Sequence, residues 1–299
     1  FNMVKVNFVL STSYDQPIGG YKIVYQYANW LVKQGFEVSI CYCYAPNEPK
    51  TYAAIKRGID TKIFKFSKRK SEVTWFPLNN SIKSFYNCIF PGDIPDADIV
   101  FATAARTAPL VSSLPKSKGR KFYFIQNYEA EGFGNKKGFA EQTYNLGMTN
   151  IVISNELREK VLESGAREPK YLPNFYNHKE FYLENPIEGR KNVVCLLNHV
   201  QETKRTKFGL DILREVKKSI PDLEVQLFGA YDPMEKLETW INFTKNANSL
   251  QLRKEIYGSS KIYMLPSVLE GWVLTGMEAM ASGAAVVASH IGAASYTHL

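Results

Sequence analysis

The stretch LPSVLEGWVLTGMEAMASGAAVVAS, residues 265–289, decides how this chain folds. Together with Ile262, Tyr263 and Met264 just before it, it opens as a short apolar run that stops at Pro266-Ser267, the pattern of a buried strand. Glu270 and Gly271 then stand in the loop after that strand. A helix is expected to begin near Val273, Leu274 and Thr275 and to carry Glu278, and the run AAVVAS at 284–289 makes one more strand. The first N–H groups of a helix have no intrahelical partner and carry partial positive charge, so such a start suits a diphosphate. Two carboxylates beside it can hold sugar and ribose hydroxyls through charge-assisted hydrogen bonds. The plainer alternative leaves both glutamates as solvated surface charges or capping residues.

Working back from this stretch, the same alternation recurs. Strands are expected at 191–197, 224–228 and 262–265, with helices at 208–219 and 248–258. Upstream, strands are expected at 4–10, 37–44, 98–102, 121–126 and 150–154. Helices are expected at 21–34 and 155–164, each followed by a glycine, Gly35 and Gly165. The segment 171–185, with Pro173, several asparagines and Pro186 just beyond, interrupts the two series and reads as the linker. The chain is therefore expected to be α/β, with two doubly wound Rossmann-like domains at 1–172 and 173–299. Ligands of such sheets bind at the carboxyl ends of the strands, and for two facing domains the expected site is the cleft between them.

The 299 residues carry 45% apolar and 22% charged side chains, with 18 Tyr and 18 Phe, ordinary values for a globular protein with ample core material. No apolar run reaches the roughly 18 residues that a membrane-spanning helix needs. Cys41, Cys43, Cys88 and Cys195 show no zinc-type spacing and read as reduced, buried thiols of a cytoplasmic protein. The net charge of +8 points to nucleic acid, an anionic membrane surface or a phosphorylated substrate. No helix-turn-helix, RNA-recognition or zinc-finger signature is present, which leaves no nucleic-acid partner expected. The densest basic cluster, TKIFKFSKRK from Thr61 to Lys70, interleaves Ile63, Phe64 and Phe66. It is either a solvated loop or strand, or a contact with an anionic membrane carrying a lipid-linked acceptor.

Taken whole, the 265–289 string resembles the E-x7-E signature of the retaining GT-B glycosyltransferases, family four in particular: Pro-Ser, then Glu270-Gly, then Glu278-Ala-Met-Ala-x-Gly and an apolar strand ending in Ser. The resemblance implies that Glu270 contacts the donor sugar and Glu278 the nucleotide ribose. It implies that Val273, Leu274 and Thr275 offer backbone N–H groups to the diphosphate. Gly19-Gly20 is similar to the family's N-terminal glycine loop, placing Gly20 on the donor side. Gln126, Asn127 and Glu129, in FIQNYE at the end of a strand, stand where the family often faces its acceptor; an ordinary strand exit is the other reading. Ser154 resembles the family's serine-plus-helix element, though helix capping explains it as well. Leu172-Pro173-Asn174 resembles the passage into the second domain.

The family usually places an Arg just after the first strand of domain two and a Lys a few residues on. Here that strand runs into Asn198-His199-Val200, and the Arg is missing from its usual place. Arg205 and Lys207 are the expected substitutes for holding the diphosphate, with Lys204 behind them; a solvated basic loop is the alternative. Asp96-Ala97-Asp98 looks like the metal-binding D-x-D of the other main glycosyltransferase fold, but it reads as a turn and strand start. The resemblance implies no cofactor and no essential metal, because helix N–H groups and cations neutralise the leaving group. The family normally continues well past the last strand here, so the second domain is expected to be incomplete at its C-terminus.

The function implied is transfer of a sugar, with retention, from a nucleotide-sugar donor to a glycan or lipid-linked acceptor in cell-surface polysaccharide synthesis, at a cytoplasmic location or peripherally on the inner membrane face. The transition state is oxocarbenium-like, with negative charge growing on the departing diphosphate. The competing reading is a non-catalytic sugar-nucleotide-binding or scaffold subunit that needs a partner.

Overall fold

The structure, a computed structural model, describes residues 3–44, 50–64, 73–129 and 138–291. The chain divides into two compact units, Phe1–Pro173 and Asn174–Leu299. Each is a parallel sheet flanked by helices.

In the first unit the strands are β1 (Lys5–Leu10), β2 (Glu37–Cys43), β3 (Lys83–Cys88), β4 (Ile99–Ala102), β5 (Arg120–Ile125), β6 (Thr149–Val152) and β7 (Lys170–Tyr171). The helices are α1 (Gly19–Lys33), α2 (Lys50–Phe64), α3 (Ala108–Ser112), α4 (Phe139–Tyr144) and α5 (Asn155–Glu163). The sheet order is β3-β2-β1-β4-β5-β6-β7, with parallel pairing throughout. In β1 the five residues after Lys5 are buried, and in β2 the six after Glu37. Burial on both faces is why these central strands read as nearly continuous apolar runs. Helix α1 turns Ile23, Val24 and Ala28 inward and ends before Gly35, whose φ of +85° suits glycine. It also begins two residues earlier than expected: Gly19 and Gly20 form its first turn and do not sit in a loop before it.

In the second unit the strands are β8 (Val193–Leu197), β9 (Glu224–Gly229), β10 (Ile241–Lys245), β11 (Ile262–Leu265) and β12 (Ala285–Ala288), in the order β10-β9-β8-β11-β12, again all parallel. The helices are α6 (Thr206–Ser219), α7 (Ser249–Gln251), which runs on as a π-helical turn over Leu252–Tyr257, and α8 (Leu274–Ala281). Alternation along β8 splits the core into two layers. Val194 and Leu196 pack with Leu210 and Leu213 of α6, while Cys195 packs with Phe228, Tyr257, Tyr263 and Ala279 on the other face. Each such fully buried aliphatic side chain contributes roughly 1.5–3 kcal/mol of transfer free energy. Gly209 lets α6 lie close: a Cβ there would meet Pro266 and Leu196 at 3.1–3.2 Å.

In both sheets the strand order reverses direction once, between β1 and β4 and between β8 and β11. The loops leaving the carboxyl ends at such a reversal part to opposite faces and leave a crevice, the usual place for a ligand.

The four cysteines are free and buried, and burial holds the thiols of Cys43 and Cys195 up at about 12. Asp98 accepts from the Lys5 N–H at 2.8 Å and Asp96 pairs with Lys118 at 2.9 Å, so this Asp-Ala-Asp is the turn into β4. Of the basic stretch from Thr61 to Lys70, residues 65–70 lie outside the described residues, as do the side chains of 61–64. The chain end at 292–299, on which the expectation of an incomplete second domain bears, also lies outside them. Among the described residues no helix is long and apolar enough to cross a membrane.

Candidate functional site

The loops after β8 and β11 meet at the strand-order reversal of the second sheet. The loop after β8 leaves as Asn198-His199-Val200 and closes with a short 3-10 turn over Glu202–Lys204. Thr206 anchors it: its hydroxyl donates to Leu197 O at 3.0 Å and accepts from the His199 N–H at 3.0 Å. The loop after β11 is tied to it by the Val268 N–H, which donates to Thr203 O at 2.9 Å. Across this junction Lys204 Nζ lies 2.6 Å from Glu270 Oε2, with the Glu270 side chain only 9% exposed. The pair stands at the mouth of the crevice.

Helix α8 starts immediately behind. Val273 is its N-cap residue, with φ −90° and ψ 68°, and no side chain caps this end. The N–H groups of Leu274, Thr275 and Gly276 are thus the unpaired first-turn donors of the helix. The N-cap side chain, a valine, has no acceptor to offer, and the Thr275 hydroxyl is bonded to the Tyr263 hydroxyl at 2.8 Å. A side chain at Gly276 would collide with Val273 Cγ1 at 2.6 Å, so glycine allows the tight approach that shapes this start. Glu278, one turn on, is 3% exposed, an unusual burial for a carboxylate and one that argues against a surface charge.

The two other expected cations sit elsewhere. Arg205 has φ +52° and ψ 38°, a left-handed bend, and its guanidinium lies 3.8 Å over the Phe208 ring. Lys207, on the first turn of α6, pairs with Asp211 on the next turn at 3.0 Å and is 67% exposed. Lys204 is the cation that reaches Glu270. Arg205 and Lys207 are engaged by Phe208 and Asp211 instead.

In the first unit the end of β5 places Gln126, whose amide donates to Gly20 O at 3.1 Å and so joins the strand exit to the first turn of α1. Its Oε1 is buried without a partner. Asn127 is exposed. Glu129 accepts from the Ala105 N–H at 3.1 Å, in the loop after β4. Burial pushes the Glu129 carboxyl up to about 7, against the lowering pull of that N–H and of Arg106. Ser154 caps α5, its hydroxyl accepting from the Leu157 N–H at 3.2 Å, so it has a structural task.

Sequence reasoning passed over Arg190. The residue is 9% exposed and its guanidinium donates to the carbonyls of Ser260 (2.7 Å), Asn185 and Ser282 (both 2.9 Å) and Pro186 (3.1 Å). Ser282 is the C-cap of α8, so this cation fixes the far end of the helix whose start faces the crevice. No local pattern announces it, because its partners Ser260 and Ser282 lie 70 and 92 positions away.

Residues 190–298 match the family model "Glycosyl transferases group 1". The chain is 25% identical over 176 residues to the poly(glycerol-phosphate) alpha-glucosyltransferase of Bacillus subtilis (strain 168); the match covers 56% of this chain and 26% of that protein. Among solved structures it is similar to a sucrose-phosphate synthase from Thermosynechococcus elongatus, with a TM-score of 0.70 and 15% identity, covering 99% of this chain and 84% of the other. It is also similar to S. aureus TarM in complex with Fondaparinux, alpha-GlcNAc-glycerol and UDP, with a TM-score of 0.54 and 18% identity, covering 64% of this chain and 41% of that one. The chain thus spans about a quarter of the curated relative's length. The fold neighbours are GT-B glycosyltransferases, and the similarity to the glycosyl transferases group 1 model falls on residues 190–298.

Proposed function

We propose that this chain is part of a retaining glycosyltransferase that takes a UDP-sugar as donor and transfers the sugar to a hydroxyl of a glycan or polyol-phosphate acceptor in cell-surface polymer synthesis. The observation that carries the reading is the Lys204–Glu270 pair set beside the uncapped start of α8, with Glu278 buried one turn on. The donor class draws support from TarM, a fold neighbour solved with UDP and alpha-GlcNAc-glycerol. The acceptor class and the stereochemistry draw support from the Bacillus relative, which by name is an alpha-glucosyltransferase of poly(glycerol-phosphate). An α-linked product from an α-linked nucleotide donor is retention.

In this reading the bond between the anomeric carbon and the β-phosphate oxygen lengthens first, and negative charge builds on the diphosphate. The N–H groups of Leu274, Thr275 and Gly276 and the Lys204 ammonium stabilise that charge without reorganising. Glu270, held by Lys204, accepts from a sugar hydroxyl, and Glu278 from the ribose. On the first unit, Glu129 and Gln126 meet the acceptor. Neither a resident metal nor a cofactor is assigned a step.

Isothermal titration of the chain with UDP, GDP and dTDP, repeated with Glu278→Ala, tests the proposal. Binding of UDP in preference to the others, weakened at least tenfold by the substitution, is the expected result. Binding of no nucleotide would overturn the donor site on this chain. Binding without turnover of the UDP-sugar, in the presence of glycerol-phosphate oligomers, would favour a non-catalytic subunit.

A further inference from the structure

The first unit holds a cavity at the amino ends of its strands, away from the carboxyl ends where Gln126 and Glu129 stand. Lys5, Glu37 and Lys83 are the first residues of β1, β2 and β3, so in this parallel sheet they mark its amino edge. Residues two apart on a strand share a face, and so do register partners on neighbouring strands. Lys5 stands beside Glu37 in one row, and Asn7, Ser39 and Lys83 stand side by side in the next. Phe85 follows Lys83 on the same face. These rows, with Ile94, Pro95, Asp96 and Lys118, line a cavity of about 450 Å³.

Two of the lining residues are out of keeping with their strands. Asn7 is 2% exposed and Ser39 6%, in strands whose other buried positions are Val, Phe, Leu, Ile, Cys and Tyr. Asn7 Nδ2 donates to Pro95 O at 2.8 Å, which fixes the amide and leaves Oδ1 as its free acceptor. Among the described residues neither Asn7 Oδ1 nor the Ser39 hydroxyl has a hydrogen-bond partner. Neither is one of the sealed interior atoms that lack one, so both open onto the cavity they line. A polar atom left unpartnered in a buried place costs stability, so such positions ordinarily hold an apolar residue or a bonded one.

The walls select the class of ligand. Small-molecule sites of this size are mostly apolar with a few polar groups, whereas this lining is mostly polar. Each of its ammonium groups already has a carboxylate. Lys83 lies 2.7 Å and Lys5 3.9 Å from Glu37, and Lys118 lies 2.9 Å from Asp96. Lys83 beside it holds the Glu37 carboxyl below its ordinary value. A bare anion would have to displace these carboxylates. A molecule with several hydroxyls needs no such exchange, because a hydroxyl accepts from an ammonium while donating to a carboxylate or to Asn7 Oδ1. The Phe85 ring adds an apolar surface for C–H groups.

We propose that this cavity is a saccharide site, in which Asn7 Oδ1 and the Ser39 hydroxyl bond the hydroxyls of a sugar and the Phe85 ring packs against its C–H face. The site belongs to the first unit and does not rest on the donor-site reading of the second. In an enzyme that acts on a glycan, such a second hold raises the local concentration of the acceptor.

The test is proton–nitrogen NMR of the whole chain, titrated to millimolar concentrations with glucose, N-acetylglucosamine and maltose, and separately with inorganic phosphate. The expected result is that the Asn7 side-chain amide and the Ser39 backbone amide move and saturate with at least one of the saccharides, with UDP present as well as without it, and that phosphate moves neither. Ser39→Ala removes a hydroxyl that bonds nothing in the chain. It is expected to weaken that saccharide about fivefold while leaving the urea midpoint in place. Signals of Asn7 and Ser39 unmoved by all three saccharides, saturation by phosphate in their stead, or full affinity in Ser39→Ala would each overturn the proposal. Saccharide shifts confined to Gln126, Glu129 and their neighbours would also overturn it, and would support the acceptor reading of the carboxyl ends. Failure of UDP to bind would overturn the donor site and leave this proposal to stand or fall on the saccharide titrations.

Discussion

Lys204 Nζ and Glu270 Oε2 are 2.6 Å apart although 66 positions separate the two residues in the chain, and they join the loops on either side of the strand-order reversal in the second sheet. The neighbouring cations do not share in this pair. Arg205 adopts left-handed backbone and stacks on Phe208, and Lys207 lies on the far side of that bend with Asp211. Three cations within four residues therefore have three different surroundings, and their substitutions should separate cleanly.

Lys204→Ala is expected to weaken UDP binding by tenfold or more, since it removes a charged contact and leaves Glu270 unpaired in a partly buried place. Arg205→Gly, which removes the guanidinium and suits the positive φ, and Lys207→Ala are expected to change the affinity by less than threefold. Calorimetry on the three variants checks the order. An effect of Lys207→Ala equal to that of Lys204→Ala would move the site.

Gly276→Ala is expected to destabilise the second unit by about 1–3 kcal/mol and to weaken UDP binding at the same time, because the added Cβ would overlap Val273 at the start of α8. Gly165→Ala in the first unit, where the φ of +80° disfavours any side chain, should cost stability without touching UDP affinity. Urea unfolding alongside calorimetry distinguishes the two.

Glu129 gives the first unit a pH dependence of known sign. Its carboxyl is raised from 4.5 to about 7, so the folded state binds more protons than the unfolded state between those values. Stability is therefore expected to fall as pH rises from 4.5 through 7. Glu129→Gln should remove that slope and leave the unit more stable than the unaltered chain at pH 8. Thermal melts from pH 5 to 8 on both proteins check it. If the carboxylate form accepts from the acceptor hydroxyl, the same substitution should raise KM for acceptor more than it lowers kcat.

Arg190→Met is expected to cost about 3 kcal/mol or more, since four carbonyls from three segments lose their shared donor in a buried place. Arg190→Lys should recover only part of this, because an ammonium cannot span the same set of acceptors. Denaturant unfolding followed by a probe in the second unit reads the loss.

The strands that could be read from the sequence are the ones that form short apolar runs, which include the mostly exposed edge strand β12. β1, β2, β8 and β11 are nearly unbroken apolar runs because helices cover them above and below. The edge strands β3 (KSFYNC) and β10 (INFTK), half open to solvent, carry polar residues that hide them. Helix α2 and the short α3 and α4 went unread too, since too few turns carry a usable periodicity or the face is weakly apolar. Glu270, Val273, Leu274, Thr275 and Glu278 could be singled out together because one strand, one loop and one helix set them within fifteen positions of one another.

The sequence by itself determined the alternation of strands and helices, the division near Pro173 into two series, and the carboxylate–helix-start–carboxylate string, all of them matters of period and local spacing. Only the tertiary structure decided which cation meets Glu270, that Glu278 is buried and that Arg190 clamps α8. Each of these depends on segments brought together across the sheet, and such contacts leave no periodic trace in the chain.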